Sequence, residues 1–93
     1  MNDPSPIRLD KWQIVQAVVV AKMSYGLRVK VPSGEIGVVD RALIQDLPLA
    51  ASEWPDVGCE LVLVCGGYTT GGQLRLSARE SDLDIANARL RDA

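Results

Sequence analysis

The chain of 93 residues contains no histidine. Ser-His-Asp and Cys-His catalysis both need an imidazole base, and many zinc sites use imidazole ligands, so the sequence excludes these sites. It also has no apolar run of about 18 residues, as a membrane span requires. Residues 1–6 lack the basic and apolar segments of a signal peptide. We therefore expect a cytoplasmic protein that is not inserted in a membrane.

Basic residues are in the minority, because Lys and Arg total 10 against 12 Asp and Glu, giving a net charge of -2. Domains that bind phosphate backbones usually have a net basic charge. Any nucleic-acid contact must therefore depend on a local patch. The composition, 47% hydrophobic and 24% charged residues, is that of a folded chain, and its length suits one domain.

Cysteine is scarce, with Cys59 and Cys65 at the two ends of an apolar run that is typical of a strand. Six residues of strand separate the two by about 20 Å, which is beyond the reach of a disulfide. The sequence predicts two reduced thiols that face the core together with Leu61 and Leu63.

Apolar and β-branched segments predict five strands, at residues 12–21, 27–31, 35–39, 59–65 and 73–77, with alternation in the second and the fifth. Residues 40–46 predict a short helical turn, and residues 81–84 resemble a capping box that opens a helix to about Arg91. We expect a loose arm over residues 1–10, a barrel over 11–80 and a C-terminal helix over 81–93. This layout is typical of an all-β fold, the five-stranded Greek-key OB-fold barrel. The side chains expected inside are Leu27, Val29, Val31, Leu61, Leu63, Leu74 and Leu76.

From Trp12 to Arg79 the chain resembles the RNA-binding domain named after ribosomal protein S-one. Four segments match in order and spacing: Tyr25-Gly26 before the second strand, residues 34–39 (GEIGVV) at the family's glycine-rich third strand, Val57-Gly58, and residues 72–79 (GQLRLSAR) at the closing pattern G-x-I-x-L-S-x-R/K. The resemblance implies an OB-fold barrel that binds single-stranded RNA on one face, through stacked aromatic rings and nearby basic side chains.

The family's binding positions are only partly retained here. Its first aromatic residue falls on Tyr25, its second on Arg28, its frequent histidine on Asp40, and a frequent arginine on Gln73. A guanidinium can stack on bases, so Arg28 can replace the second ring in part. We expect modest affinity and no catalytic residue, metal or cofactor. The candidate RNA contacts are Tyr25, Arg28, Lys30, Asp40, Gln73, Arg75 and Arg79, whereas Trp12 and Trp54 are assigned to packing.

A protein-interaction module, working in a ribonucleoprotein or another assembly, is the alternative, because a fold alone does not fix a function. The net negative charge of the chain favours this alternative. Charge placement discriminates between the two hypotheses. Convergence of the basic candidates on the face that bears Tyr25 favours RNA, and acids interspersed among them favour a protein partner.

Overall fold

Branched aliphatic residues build five strands, which the computed structural model shows as a closed barrel. The described residues are 8–47 and 49–92, so residues 1–7 of the expected arm lie outside them. The strands and the one long helix are β1 (Ile14–Met23), β2 (Gly26–Lys30), β3 (Ile36–Asp40), β4 (Glu60–Tyr68), β5 (Leu74–Ser77) and α1 (Glu80–Arg91). They pair in the order β1-β2-β3-β5-β4, β4 pairs back onto β1, and only β3 and β5 run parallel. The predicted OB-fold barrel with a C-terminal helix is confirmed.

β1 is the longest strand and contributes to both halves of the barrel. Residues 14–18 pair with β4, and residues 18–23 pair with β2. The register shifts between Val19 and Ala21, and such a bulge bends a strand and increases its twist. A second shift, between Cys65 and Gly67, carries β4 on to Tyr68. The sequence predicts a hairpin loop from Gly66, so the real strand is longer than expected.

The barrel interior is filled by aliphatic side chains that alternate along the strands. Six of the seven predicted interior residues are buried, and Leu61 packs against them while partly exposed. Trp54 joins the same core and is 8% exposed, as its assignment to packing predicts. Each fully buried aliphatic side chain is worth about 1.5–3 kcal/mol. This core therefore supplies most of the stability.

Two glycines permit close approaches between strands. Gly26 has φ +142°, and a Cβ there would overlap the Val39 carbonyl oxygen and lie 2.7 Å from the Arg41 nitrogen. A Cβ on Gly37 would lie 2.6 Å from Cδ1 of Leu76. Side chains at these two positions would therefore push β2 away from β3, and β3 away from β5.

The connection between β3 and β4 contains two 3-10 turns, Arg41–Leu43 and Ala51–Glu53. The first is the helical turn predicted between the third and fourth strands, although it is shorter than residues 40–46. Asp40 caps it, because its Oδ1 accepts a hydrogen bond of 2.9 Å from the Ala42 N–H.

The start of α1 differs from the predicted capping box. The helix begins at Glu80, so Ser81 lies inside its first turn instead of capping it. Its N–H donates to Asp46 Oδ2 at 3.2 Å, and its hydroxyl donates to the other oxygen of the same carboxylate. These bonds hold the pKa of Asp46 below its usual value. A carboxylate from the β3–β4 connection thus performs the role expected of the serine.

α1 packs against β4 on the outside of the barrel. Val64 and Ala86 are both buried, yet neither belongs to the barrel core. Ile85 and Leu90 remain 46% and 62% exposed. The helix therefore contributes little to the hydrophobic core, as its thin apolar stripe predicts.

The prediction that both cysteines face the core is wrong for Cys59. Cys59 precedes β4 and is exposed, because its N–H closes a turn onto the Asp56 carbonyl at 3.0 Å. Cys65 is 1% exposed, and burial raises the pKa of its thiol. Neither cysteine forms a disulfide.

We expect Gly26→Ala to cost more than about 3 kcal/mol of unfolding free energy, since backbone strain and steric overlap add. Gly34→Ala is the matched control. Gly34 has φ +94° with nothing within 4 Å of its Cβ position. The Gly34→Ala variant should therefore lose only the unfolding free energy that a left-handed conformation costs, about 1–2 kcal/mol. Urea unfolding followed by tryptophan fluorescence measures both variants. Equal losses of unfolding free energy in the two variants would contradict the close approach of β3 to Gly26.

We expect a maleimide probe to label one thiol quickly in the native protein and the second only on unfolding. The fast site is Cys59, because thiolate formation and access are both hindered at Cys65. Mass spectrometry identifies the labelled peptide, and Cys59→Ser should remove the fast phase. Fast labelling of Cys65 in the Cys59→Ser variant would be inconsistent with its burial.

Candidate functional site

The outer face of β2, β3 and β5 carries a row of three side chains across the sheet. Arg28 on β2 lies opposite Val38 on β3, and Val38 lies opposite Arg75 on β5. Both arginines are exposed and Val38 is half-buried. Neighbouring strands lie about 4.8 Å apart, so the two arginine backbones are about 10 Å apart with an apolar residue between them.

The next row along the same face contains Lys30 and Gln73. Lys30 is exposed and lies opposite Ile36. The Gln73 side chain donates from Nε2 to the Ile36 carbonyl at 3.2 Å and to the Leu74 carbonyl at 3.1 Å. The two bonds therefore hold the side-chain nitrogen of Gln73 against β3 and β5. The side-chain carbonyl oxygen takes no part in them.

Tyr25 and Asp40 lie at the opposite end of this face. The Tyr25 carbonyl accepts a 2.8 Å hydrogen bond from the Arg41 N–H, and Asp40 pairs with Gly26. Gly26 makes this close junction possible. The Tyr25 residue is 43% exposed. The face that carries the three cations thus ends beside an exposed tyrosine that directly precedes β2.

Asp40 is the acidic side chain within this face, and it interacts with Arg75. Its Oδ2 lies 3.9 Å from Nη2 of Arg75, and the two side chains are 41% and 46% exposed. A pair this long and this exposed is worth about 0–1 kcal/mol. Asp40 therefore reduces the local positive charge without removing Arg75 from solvent.

Glu35, just before β3, forms its side-chain hydrogen bond with Tyr68. Its Oε1 accepts a hydrogen bond of 3.0 Å from the Tyr68 hydroxyl, which in turn accepts one from the Leu9 N–H at 3.1 Å. Arg8 lies over the Tyr68 ring at 4.0 Å. Tyr68 therefore anchors the segment before β1 to the barrel.

Arg79 is the one predicted contact that the structure separates from the others. It lies beyond β5 at the start of α1, where its Nε donates to Asp82 at 3.0 Å. Ser77 donates to the same carboxylate oxygen at 2.6 Å. Burial opposes ionisation of Asp82, but these hydrogen bonds outweigh it and lower the pKa of that carboxyl. Arg79 thus joins an ion pair that fixes the start of α1.

Arg28 and Lys30 have no ion pair among residues 8–47 and 49–92, in contrast to Arg75 and Arg79. The face of β2, β3 and β5 therefore carries three basic side chains against one carboxylate. The chain's excess of acid lies elsewhere on the surface.

A groove of about 460 Å³ begins at Arg75 and continues past β4 towards α1. Lys11, Trp12, Gly66, Thr69 and Asp82 are among its lining residues. Sequence patterns did not identify Lys11 and Trp12 as residues that lie beside the candidate site. No motif marks them, because only the return of β5 beside β4 places them near Arg75.

Within the part of the chain that the structure describes, no helix is long and apolar enough to cross a membrane. Over the same residues, no three Cys, Asp or Glu side chains form a group that could hold a metal ion.

No family model matches the chain, and no curated protein matches its sequence. Among solved structures it is similar to a chain in the crystal structure of an a/eIF2alpha–aDim2p–rRNA complex from Pyrococcus horikoshii, with a TM-score of 0.75 and 16% identity. The match covers 92% of this chain and 54% of that one, so this chain spans about half the length of its neighbour. An uncharacterised protein from Methanocaldococcus jannaschii matches with a TM-score of 0.62 and 12% identity, over 76% of this chain and 93% of that one. At these identities the comparisons establish that the chain shares its barrel fold with both neighbours.

Proposed function

We propose that this chain is a non-catalytic, cytoplasmic RNA-binding module of the ribosomal protein S-one type, acting in translation or RNA metabolism. It binds single-stranded RNA on the outer face of β2, β3 and β5. The observation that carries the proposal is the placement of Arg28, Lys30 and Arg75 on one face with Tyr25 at its end. The solved neighbour from a complex that contains rRNA supports it.

The chemistry of this face suits a single strand. An unpaired base can stack on Tyr25, and every base offers such a surface whatever its sequence. Arg28 can contact a phosphate or stack on a base, whereas Lys30 acts as a point charge for phosphate. With one ring, stacking contributes little beyond a single base, so the affinity is modest and depends strongly on salt.

A protein-interaction module is the second candidate, and one observation favours it. Val18 and Val20 on β1 and Val62 on β4 are between 36% and 47% exposed on the outside of the barrel. They lie on strands other than those that carry the basic face. A protein partner at β1 and β4 would therefore leave the proposed RNA face open.

We expect the double variant Arg28→Ala, Lys30→Ala to weaken RNA binding and to flatten its salt dependence. Each lost phosphate contact on a single strand reduces the slope of log K against log salt by about 0.7. Tyr25→Ala should weaken binding by about 1–3 kcal/mol without changing the slope, because stacking releases no counterions. Fluorescence anisotropy with a labelled single-stranded oligonucleotide over a range of salt concentrations measures both.

The matched control is Lys22→Ala, Arg91→Ala, which removes the same charge from β1 and the last turn of α1. It should change the slope far less than the Arg28, Lys30 pair. Absence of wild-type binding at low salt would overturn the proposal in favour of a protein partner. Equal effects of the two double variants would show that binding does not use this face.

We expect Asp40→Asn to tighten RNA binding by about 2- to 5-fold at low salt. The variant frees Arg75 of a weak ion pair and removes a repulsive charge, and asparagine caps a helical turn as well as aspartate does. The gain should shrink at high salt, where exposed charges are screened. Glu60→Gln, on β4, removes the same charge away from the face and should have a smaller effect in the same anisotropy assay. A larger gain from Glu60→Gln would contradict the assignment.

A further inference from the structure

The groove beside Arg75 has a mixed lining that suits a nucleotide. Arg75 and Lys11 supply positive charge, while Trp12 supplies apolar surface. Its volume of about 460 Å³ is within the range of small-molecule sites, about 300–1,000 Å³. Asp82 is the one carboxylate among its described lining residues, and Ser77 and Arg79 already occupy it. The groove is therefore open to an anionic ligand.

The floor of the groove is bare because β4 has a glycine next to Arg75. A Cβ on Gly66 would lie 3.9 Å from Cβ of Arg75 and 3.4 Å from its carbonyl oxygen, which are ordinary contacts. A side chain would therefore fit at this position and would stand beside Arg75 on the outer surface. Gly66 is the residue at the register shift between β4 and β5, and a glycine at such a bulge also leaves room for a ligand to approach the backbone.

Trp12 forms part of the groove wall and is held in an unusual conformation. It is the one described residue other than glycine with a positive φ, +75°. Its N–H donates to the Cys65 carbonyl at 2.8 Å, and Arg89 of α1 lies 5.5 Å from the ring centroid. Such backbone strain persists only where the surroundings fix it. The backbone of Trp12 is thus fixed beside the groove, and Arg89 is the cation next to its ring.

We infer that this groove binds a further nucleotide of the same RNA strand, with its base against Trp12 and its phosphate between Arg75 and Lys11. The inference rests on the proposed function, since Arg75 belongs both to the basic face and to the groove. The strand then runs from Tyr25 across β2, β3 and β5, passes Arg75 and enters the groove above Gly66.

Filling the groove tests the inference. Gly66→Val places a branched side chain beside Arg75, and valine is favoured in strands, so the barrel should stay folded. Gly71→Val is the matched control, because Gly71 lies in the same β4–β5 hairpin, outside the groove, with only Thr69 Oγ1 near its Cβ position. Anisotropy titrations would use single-stranded oligonucleotides of about 4 and about 8 nucleotides, within the site sizes known for OB folds.

We expect the longer oligonucleotide to bind wild type more tightly, and Gly66→Val to remove most of that gain. Gly71→Val should keep it. Trp12→Gly should weaken binding of the longer oligonucleotide by about 5- to 100-fold, the effect of losing one stacked base, whereas Trp12→Phe keeps a ring and most of the affinity. Glycine also relieves the strain at φ +75°, so we expect Trp12→Gly to stay folded, and circular dichroism checks this.

The outcomes separate the two proposals. If neither oligonucleotide binds wild type, the proposed function fails and the groove inference fails with it. If both bind and depend on Arg28 and Lys30, while Gly66→Val and Trp12→Gly leave the longer one unaffected, the groove inference is overturned and the proposed function stands.

Discussion

β5 lies against β3 because Gly37 leaves the space that Leu74 and Leu76 fill inside the barrel. The two strands come from distant parts of the chain, and their parallel pairing closes the barrel. The same pairing places Arg75 opposite Val38, two strands from Arg28. A fit between a glycine and two leucines in the interior therefore determines which charges are neighbours on the outside.

Most of the fold could be predicted from the sequence, because alternation along a strand records which residues face the core. Leu27 to Val31 and Leu74 to Leu76 show this directly: their apolar residues are buried and the basic residues between them are exposed. Alternation does not report contacts between distant segments. The pairing of Arg79 with Asp82, the capping of α1 by Asp46 and the turn that exposes Cys59 all depend on such contacts or on loop geometry.

A net acidic chain can still present a basic face, because the interaction between exposed charges decays over about 8–10 Å in physiological salt. Few acids lie near the face: Glu35, just before β3, accepts from Tyr68, and Asp82 lies beyond β5, where it pairs with Arg79. Asp40 alone acts within the face, and it shares its carboxylate between Ala42 and Arg75. The positions and partners of the acidic side chains therefore determine the charge of this face more than the net charge of the chain does.

Closure of the barrel also determines how this chain can associate with other chains. An open sheet presents unpaired N–H and C=O groups, which allow strand addition, domain swapping and aggregation. Here β4 pairs back onto β1, so the barrel that the described strands form has no edge strand, although residues 14–17 of β1 pair only with β4 and residues 21–23 only with β2. A protein partner would then meet side chains such as the exposed valines rather than an edge strand. Barrel closure also pairs the backbone of β1, whose valine-rich sequence is prone to aggregation in an unfolded chain.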